Sequence, residues 1–182
     1  VRVEVKSAFT DTPGTQVVSE DEILEKEVVS GISYSSDEAK ITLRRVKDQP
    51  GVAARIFGPL ADASVNVDMI VQNVSEDGKT TDLTFTVTAK DLNHAKEVLS
   101  EKKSKIGFDE LVSDSNLSKI SIVGVGMRSN TGVAKTMFNT LAKKNINIKV
   151  ISTSEIKISV LIDTEYTELA LRALHSAYGL DQ

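Results

Sequence analysis

Two short stretches of this chain carry residue types suited to holding a small anion. Residues 46–51 end in Asp48-Gln49-Pro50-Gly51 and residues 124–132 end in Arg128-Ser129-Asn130-Thr131-Gly132, each just ahead of an apolar helical pattern. A helix N-terminus leaves N–H groups without intrahelical partners, so it can bind a carboxylate or phosphate without a cationic side chain. The plainer alternative is that Gly and Pro only shape the turn and the helix caps itself. Gly124, Gly126 and Gly132 do not have the G-x-G-x-x-G spacing, and no Gly-Lys-Ser/Thr is present, so nucleotide binding is not expected. Near the first loop in sequence, Asn66, Asp68, Ile70 and Gln72 share one face of an extended segment by period two, opposite Val67, Met69 and Val71. That face could hold an ammonium group, with Asp48 and Asp68 supplying negative charge, or it could be a solvated sheet face. His94 and His175 stand alone, with no carboxylate or second His at ligand spacing, and no nucleophile–base arrangement or metal cluster stands out. These residues offer a ligand site, no cofactor site and no reaction centre.

The elements that must position these loops occur twice. Lys40-Ile41-Thr42-Leu43, Gly51-Val52-Ala53-Ala54-Arg55-Ile56-Phe57 and Val65-Asn66-Val67 recur as Lys119-Ile120-Ser121-Ile122, Gly132-Val133-Ala134-Lys135-Thr136-Met137-Phe138 and Ile146-Asn147-Ile148. Such repetition sets the domain count and points to one module written twice. The repeat is not uniform in charge: Asn66, Asp68, Ile70 and Gln72 become Asn147, Lys149, Ile151 and Thr153. Two equivalent sites would therefore differ in what they prefer.

In the first copy, residues 40–46 alternate as a strand, and Val52, Ile56 and Leu60 with Ala53 and Phe57 form one helical stripe. Gly58-Pro59 inside that stripe predicts a bent or frayed second half, because Pro removes a helix hydrogen bond. Residues 65–74 and 81–88 read as strands joined by a hairpin turn at Glu76-Asp77-Gly78-Lys79. Residues 91–103 read as a second helix, and a strand near 108–114 closes a βαββαβ, ferredoxin-like unit. The second copy repeats the order with a shorter hairpin at Ser154-Glu155-Ile156-Lys157, but after its last helix, ending near Gly179, only Leu180-Asp181-Gln182 remain. That copy lacks a fourth strand, while residues 27–34 have strand composition and no partner. Pairing the two satisfies both edges. The expected fold is α+β: two ferredoxin-like modules, the first (37–114) inserted into the second (115–182), whose missing strand lies in 25–36. Residues 1–24 read as the remnant of a preceding domain and a linker.

Composition narrows the partners. The chain has 182 residues, 40% hydrophobic and 26% charged, which fits two small globular modules. Aromatics are only 4%, with no Trp, and the formal net charge is −4. Both argue against nucleic acid, which calls for base-stacking platforms and a basic surface. There is no Cys, no membrane-length apolar run and no signal-peptide pattern, so a cytoplasmic protein is expected, without disulfides or membrane contact. The start at Val1 rather than Met is what a fragment of a longer polypeptide would show.

Three stretches carry a family resemblance: Lys-Asp-Gln-Pro-Gly-Val-Ala-Ala at 47–54, Asn-Val-Asp-Met-Ile-Val-Gln-Asn at 66–73 and Ile-Ser-Thr-Ser-Glu-Ile-Lys-Ile-Ser-Val at 151–160. With the terminal Ala-Leu-His-Ser-Ala-Tyr-Gly-Leu at 173–180, they resemble the C-terminal regulatory region of aspartate kinase with its tandem ACT domains. Residues 1–18 resemble the last segment of that family's kinase domain. The resemblance implies a noncatalytic module that senses threonine and often lysine, feeding back on a catalytic domain or subunit. It implies a homodimer whose effectors sit between the first ACT domain of one protomer and the second of its partner. The matching positions are Asp48, Gln49, Pro50, Gly51, Val52, Ala53, Asn66, Val67, Asp68 and Gln72 in the first copy. In the second they are Arg128, Ser129, Asn130, Gly132, Val133, Ala134, Asn147, Ile148, Thr153 and Ser154. Two other readings remain. An acyl-phosphate-handling enzyme on this fold would need a phosphate-holding pair, for which Arg128 and Asn130 are the candidates. An RNA-binding module would need exposed sheet aromatics, and Phe85 fits the core better.

Overall fold

Two of the expected strand pairs are single long strands. The computed structural model describes residues 3–10, 13–17, 28–75, 78–124, 130 and 132–181. Within them, β1 (Val3–Val5) pairs only with β2 (Thr15–Val17), apart from the rest. The strands expected at 28–34 and 40–46 merge into β3 (Gly31–Lys47), and the strand expected near 108–114 continues into the second copy's first strand as β6 (Glu110–Val123). The first copy adds α1 (Val52–Asp62), β4 (Asp68–Val74), β5 (Thr80–Thr88), α2 (Leu92–Glu101) and α3 (Lys103–Ile106). The second adds α4 (Gly132–Lys143), β7 (Val150–Thr153), β8 (Lys157–Asp163) and α5 (Thr167–Tyr178).

One six-stranded antiparallel sheet results, in the order β4-β5-β3-β6-β8-β7. The later part of β3 pairs with β5 and the early part of β6, as in Ile41 opposite Phe85 and Ser113. Its early part pairs only with the later part of β6, with Gly31 opposite Val123 and Tyr34 opposite Ile120. Between these parts the β3–β6 register shifts around Glu38, and the sheet passes from one copy to the other. Entry to β3 is tight: a Cβ on Gly124 would lie 2.3 Å from the Val28 carbonyl oxygen.

Each copy has its own core on one face of the sheet. Ile41, Leu43, Leu83, Phe85 and Val87 meet Ile56 and Leu60 of α1 and Ala95 and Leu99 of α2. Ile120, Ile122, Val160 and Ile162 meet Met137 and Leu141 of α4 and Leu174 of α5, with Val29 joining them from ahead of β3. Each fully buried aliphatic chain contributes roughly 1.5–3 kcal/mol, so these rows hold the helices against the sheet. Phe85 lies in the core with no exposed surface.

Two local expectations are corrected, and a third stands where it is described. α1 is not frayed at Pro59: it runs to Asp62, because Ile56 and Leu60 bury on either side of the proline and hold the last turn. The helix expected over 91–103 is interrupted at Lys102 and resumes as α3, which stops at Gly107 in the left-handed region. Of the first hairpin turn, Glu76 and Asp77 lie outside the described residues, while Gly78 has φ +65° and the Ser75 N–H donates to the Thr80 carbonyl at 2.8 Å. Among the described residues, no helix is long and apolar enough to cross a membrane.

Candidate functional site

The first loop leaves its helix N-terminus open. Gly51 precedes α1 at φ +84°, a left-handed conformation that a side chain would strain. No side chain caps α1, and its first turn holds no acidic residue. The loop is anchored by the Asp48 N–H donating to the Lys79 carbonyl at 2.9 Å and the Val52 N–H donating to the Gln49 carbonyl at 3.1 Å. Ala53 is exposed, so the first turn faces solvent and an approaching carboxylate would meet positive dipole.

The structure divides the other residues of the first copy between two ends of the sheet. Asp68 lies opposite Thr86, whereas the loop is fastened at Lys79, seven residues earlier on the same hairpin arm. At about 3.3 Å per residue, that separates Asp68 from Asp48 by roughly 20 Å along the strand direction. Asp68 therefore cannot join Asp48 and the α1 N–H groups around one small ligand within a protomer. The shared face also fails. The register of β4 shifts between Asp68 and Val71, where Met69 adopts φ +48°, so an extra residue enters the strand. Beyond this bulge Gln72 lies opposite Leu83, on the helix-covered face and midway along the strand, while Asp68 lies opposite Thr86 on the other face. Gln72 thus shares the α1 face of the sheet, and Asn66, Val67 and Asp68 form a separate cluster on the other.

That cluster is an ion-paired junction between the copies. Lys119 of β6 donates from Nζ to Glu38 Oε1 of β3 at 2.7 Å and to Asp68 Oδ2 of β4 at 2.9 Å. The Met69 N–H donates to Asp68 Oδ1 at 2.8 Å. Burial works to raise the Asp68 pKa, but the Lys119 and Met69 hydrogen bonds and the ammonium charge outweigh it and hold the carboxyl below its ordinary value. Burial likewise works against charge on Lys119, yet Glu38 and Asp68 together raise its pKa. Alongside, Met69 packs on Leu117 and Leu161 in a small apolar cluster. Glu38, Asp68 and Lys119, with Asn66, Thr86 and Thr88, line a cavity of about 350 Å³.

In the second copy, Asn130, Gly132 and Val133 line a cavity of about 420 Å³ with Val28, Val29 and Tyr178. Tyr178 donates from its hydroxyl to the Val133 carbonyl at 2.7 Å, and burial pushes its phenol up to about 12. Arg128 and Ser129 lie outside the described residues, so the pairing of Arg128 with Asn130 does too. Ala134 is half-buried on α4, Asn147 is exposed and Ile148 packs against the second core. Lys149 is paired with Asp163 at 3.3 Å. Thr153 and Ser154 are exposed at the end of β7. Among the described residues, no group of three or more His, Cys, Asp and Glu is placed to hold a metal ion. Glu38, Thr86 and Lys119 did not emerge from the sequence, since their meeting depends on the register of three strands far apart in the chain.

Comparison with known proteins agrees with this duplicated architecture. ACT-domain families match residues 41–103 and residues 120–178. The chain is 53% identical over 182 residues to an aspartate kinase of Stutzerimonas stutzeri strain A1501, covering all of this chain and 44% of that relative. It therefore spans less than half the length of the curated relatives it matches. The crystal structure of aspartokinase alpha and beta subunits superposes with a TM-score of 0.77 at 50% identity, covering 83% of this chain and 99% of that one. The ligand-free regulatory subunit of aspartate kinase from Thermus thermophilus gives a TM-score of 0.77 at 40% identity, covering 84% and 99%.

Proposed function

Because the chain belongs to the aspartokinase family, as its regulatory region with tandem ACT domains, we propose that it binds threonine, lysine or both and so mediates feedback inhibition. The whole protein in this reading is a cytoplasmic enzyme that phosphorylates aspartate from ATP, and this region communicates with its catalytic domain or subunit. The observation that carries the reading is the open N-terminus of α1: a left-handed Gly51, no capping side chain, no acidic first turn, and Gln72 on the same face of the sheet. That arrangement suits the carboxylate of an amino acid. Asn147, Ile148, Thr153 and Ser154 of a second protomer complete the pocket in a homodimer. Binding between protomers inhibits only if the effector prefers one dimer arrangement over another, since differential affinity is what shifts such an equilibrium. The cavity beside Asn130 and Gly132 is the second copy's counterpart, and it takes a different effector because Asn130 and Tyr178 line it.

The same reading divides the chain into a linker at 1–24, a strand at 25–36 given to the second ACT domain, the first ACT domain at 37–114 and the second at 115–182. Pairing of residues 31–35 with 119–123 supports the division.

Replacing Ala53 with Asp tests the loop. An acidic first turn favours the helix but repels a bound carboxylate, so folding should be preserved or slightly improved. Calorimetric titration with threonine and with lysine should then show binding at this loop weakened by about tenfold or more, the loss expected for a charge-assisted contact. Unchanged affinity for both amino acids would remove the α1 terminus from the site.

A further inference from the structure

We propose that the cavity at the junction of the two ACT domains is a second amino-acid site, formed within one protomer by Glu38, Asp68, Thr86 and Lys119. The inference rests on the reading above, that the region senses free amino acids, and adds a place and a set of residues to it. Its starting point is Thr86. This residue has no exposed surface, its Oγ1 has no hydrogen-bond partner, and it lines the cavity. A buried hydroxyl left unpaired costs about 1–3 kcal/mol, which a bound polar group would recover.

The other lining groups are paired but not saturated. Lys119 has three N–H donors and spends two, on Glu38 and Asp68. Asp68 accepts from Lys119 and Met69, and its side chain is still 53% exposed. Glu38 is only 7% exposed and holds its position through Lys119. The cavity lining thus includes two donors, the third Lys119 N–H and the Thr86 hydroxyl, which fit a carboxylate. It also offers free lone pairs on two carboxylates, which fit an ammonium. Two acids and one base give the lining a net negative charge, so the ammonium pole is the better served. A compact α-amino acid carries both poles at the required closeness, and about 350 Å³ lies at the small end of ligand pockets. Glu38 and Asp68 belong to the first copy and Lys119 to the second, so a ligand here would tighten the contact between the two domains.

Thr86→Val separates this site from the α1 loop. The change keeps the shape and removes the orphan hydroxyl, so the melting temperature should hold or rise. Titrating the 182-residue chain with threonine and with lysine, the variant should bind one of them about tenfold more weakly than wild type, the effect of losing a hydrogen bond to a charged group. Ala53→Asp should leave this binding component in place. Wild-type affinity in Thr86→Val for both amino acids overturns the junction site, while a loss confined to Ala53→Asp leaves the loop site standing alone. A loss confined to Thr86→Val upholds the junction and refutes the loop. Absence of binding by the wild-type chain overturns both.

Discussion

Lys119 sits between two carboxylates of unequal burial, and that inequality decides what each contributes. Asp68 is half exposed, so replacing it with Asn should cost about 1 kcal/mol or less at neutral pH, the usual worth of a partly solvated pair. The carboxyl pKa is lowered on folding from an ordinary 3.8, so this stabilisation is present above that value and is lost as pH falls through the lower folded value. Lys119 is raised above 10.5, so its share is present below that pH and is lost as pH rises through the raised value. Denaturant melts of wild type and Asp68→Asn should therefore differ at pH 7 and converge in acid below the carboxylate range. A gap that stays constant into acid would show that Asp68 does not stabilise through its charge. Little of this was legible beforehand. Asp68 was legible as an acid on β4, but its partner lies on another module and its face depends on the Met69 bulge. Period-two reasoning carries no information about where an extra residue enters a strand.

At the scale of elements, α1 combines a well-read start with a misjudged middle. Its open N-terminus and the Val52, Ile56, Leu60 stripe follow from the sequence, and all three residues bury. Pro59 predicts a bent or frayed second half, since it deprives the Arg55 carbonyl of a donor. The cost is borne because the buried residues on both sides are worth more than one hydrogen bond. Pro59→Ala should then stabilise the chain by about 1–3 kcal/mol, by restoring the missing N–H in a helix that already has the right geometry. Thermal unfolding would show a higher midpoint with threonine and lysine binding unchanged. A lower midpoint would mean that the rigid ring contributes more by restricting the unfolded chain than it costs in the helix.

The molecule as a whole is organised by two strands that each serve both copies. The sequence disclosed the duplication, the βαββαβ order and the missing fourth strand, because repeats and unfilled edges are local patterns that can be counted. It did not disclose that 28–34 and 40–46 are one strand, since Ser35, Ser36 and Asp37 carry no apolar alternation to link them. With β3 and β6 running through both copies, neither copy can lose its edge without opening the other. Residues 115–182 alone lack the segment that pairs with 119–123 and the Val29 side chain that enters their core. They would leave the edge of β6 unpaired along 119–123, an edge that small sheets rarely leave bare. Residues 115–182 expressed alone should therefore aggregate or remain unfolded by circular dichroism and amide exchange. Supplying residues 28–36 as a tethered N-terminal segment should restore a cooperative transition, with Gly124 protected where Val28 crosses it. The 182-residue chain, in turn, should melt in one step rather than two. A stable, cooperative 115–182 fragment without the added strand would refute the insertion, and two separated transitions in the intact chain would show that the shared strands do not couple the copies.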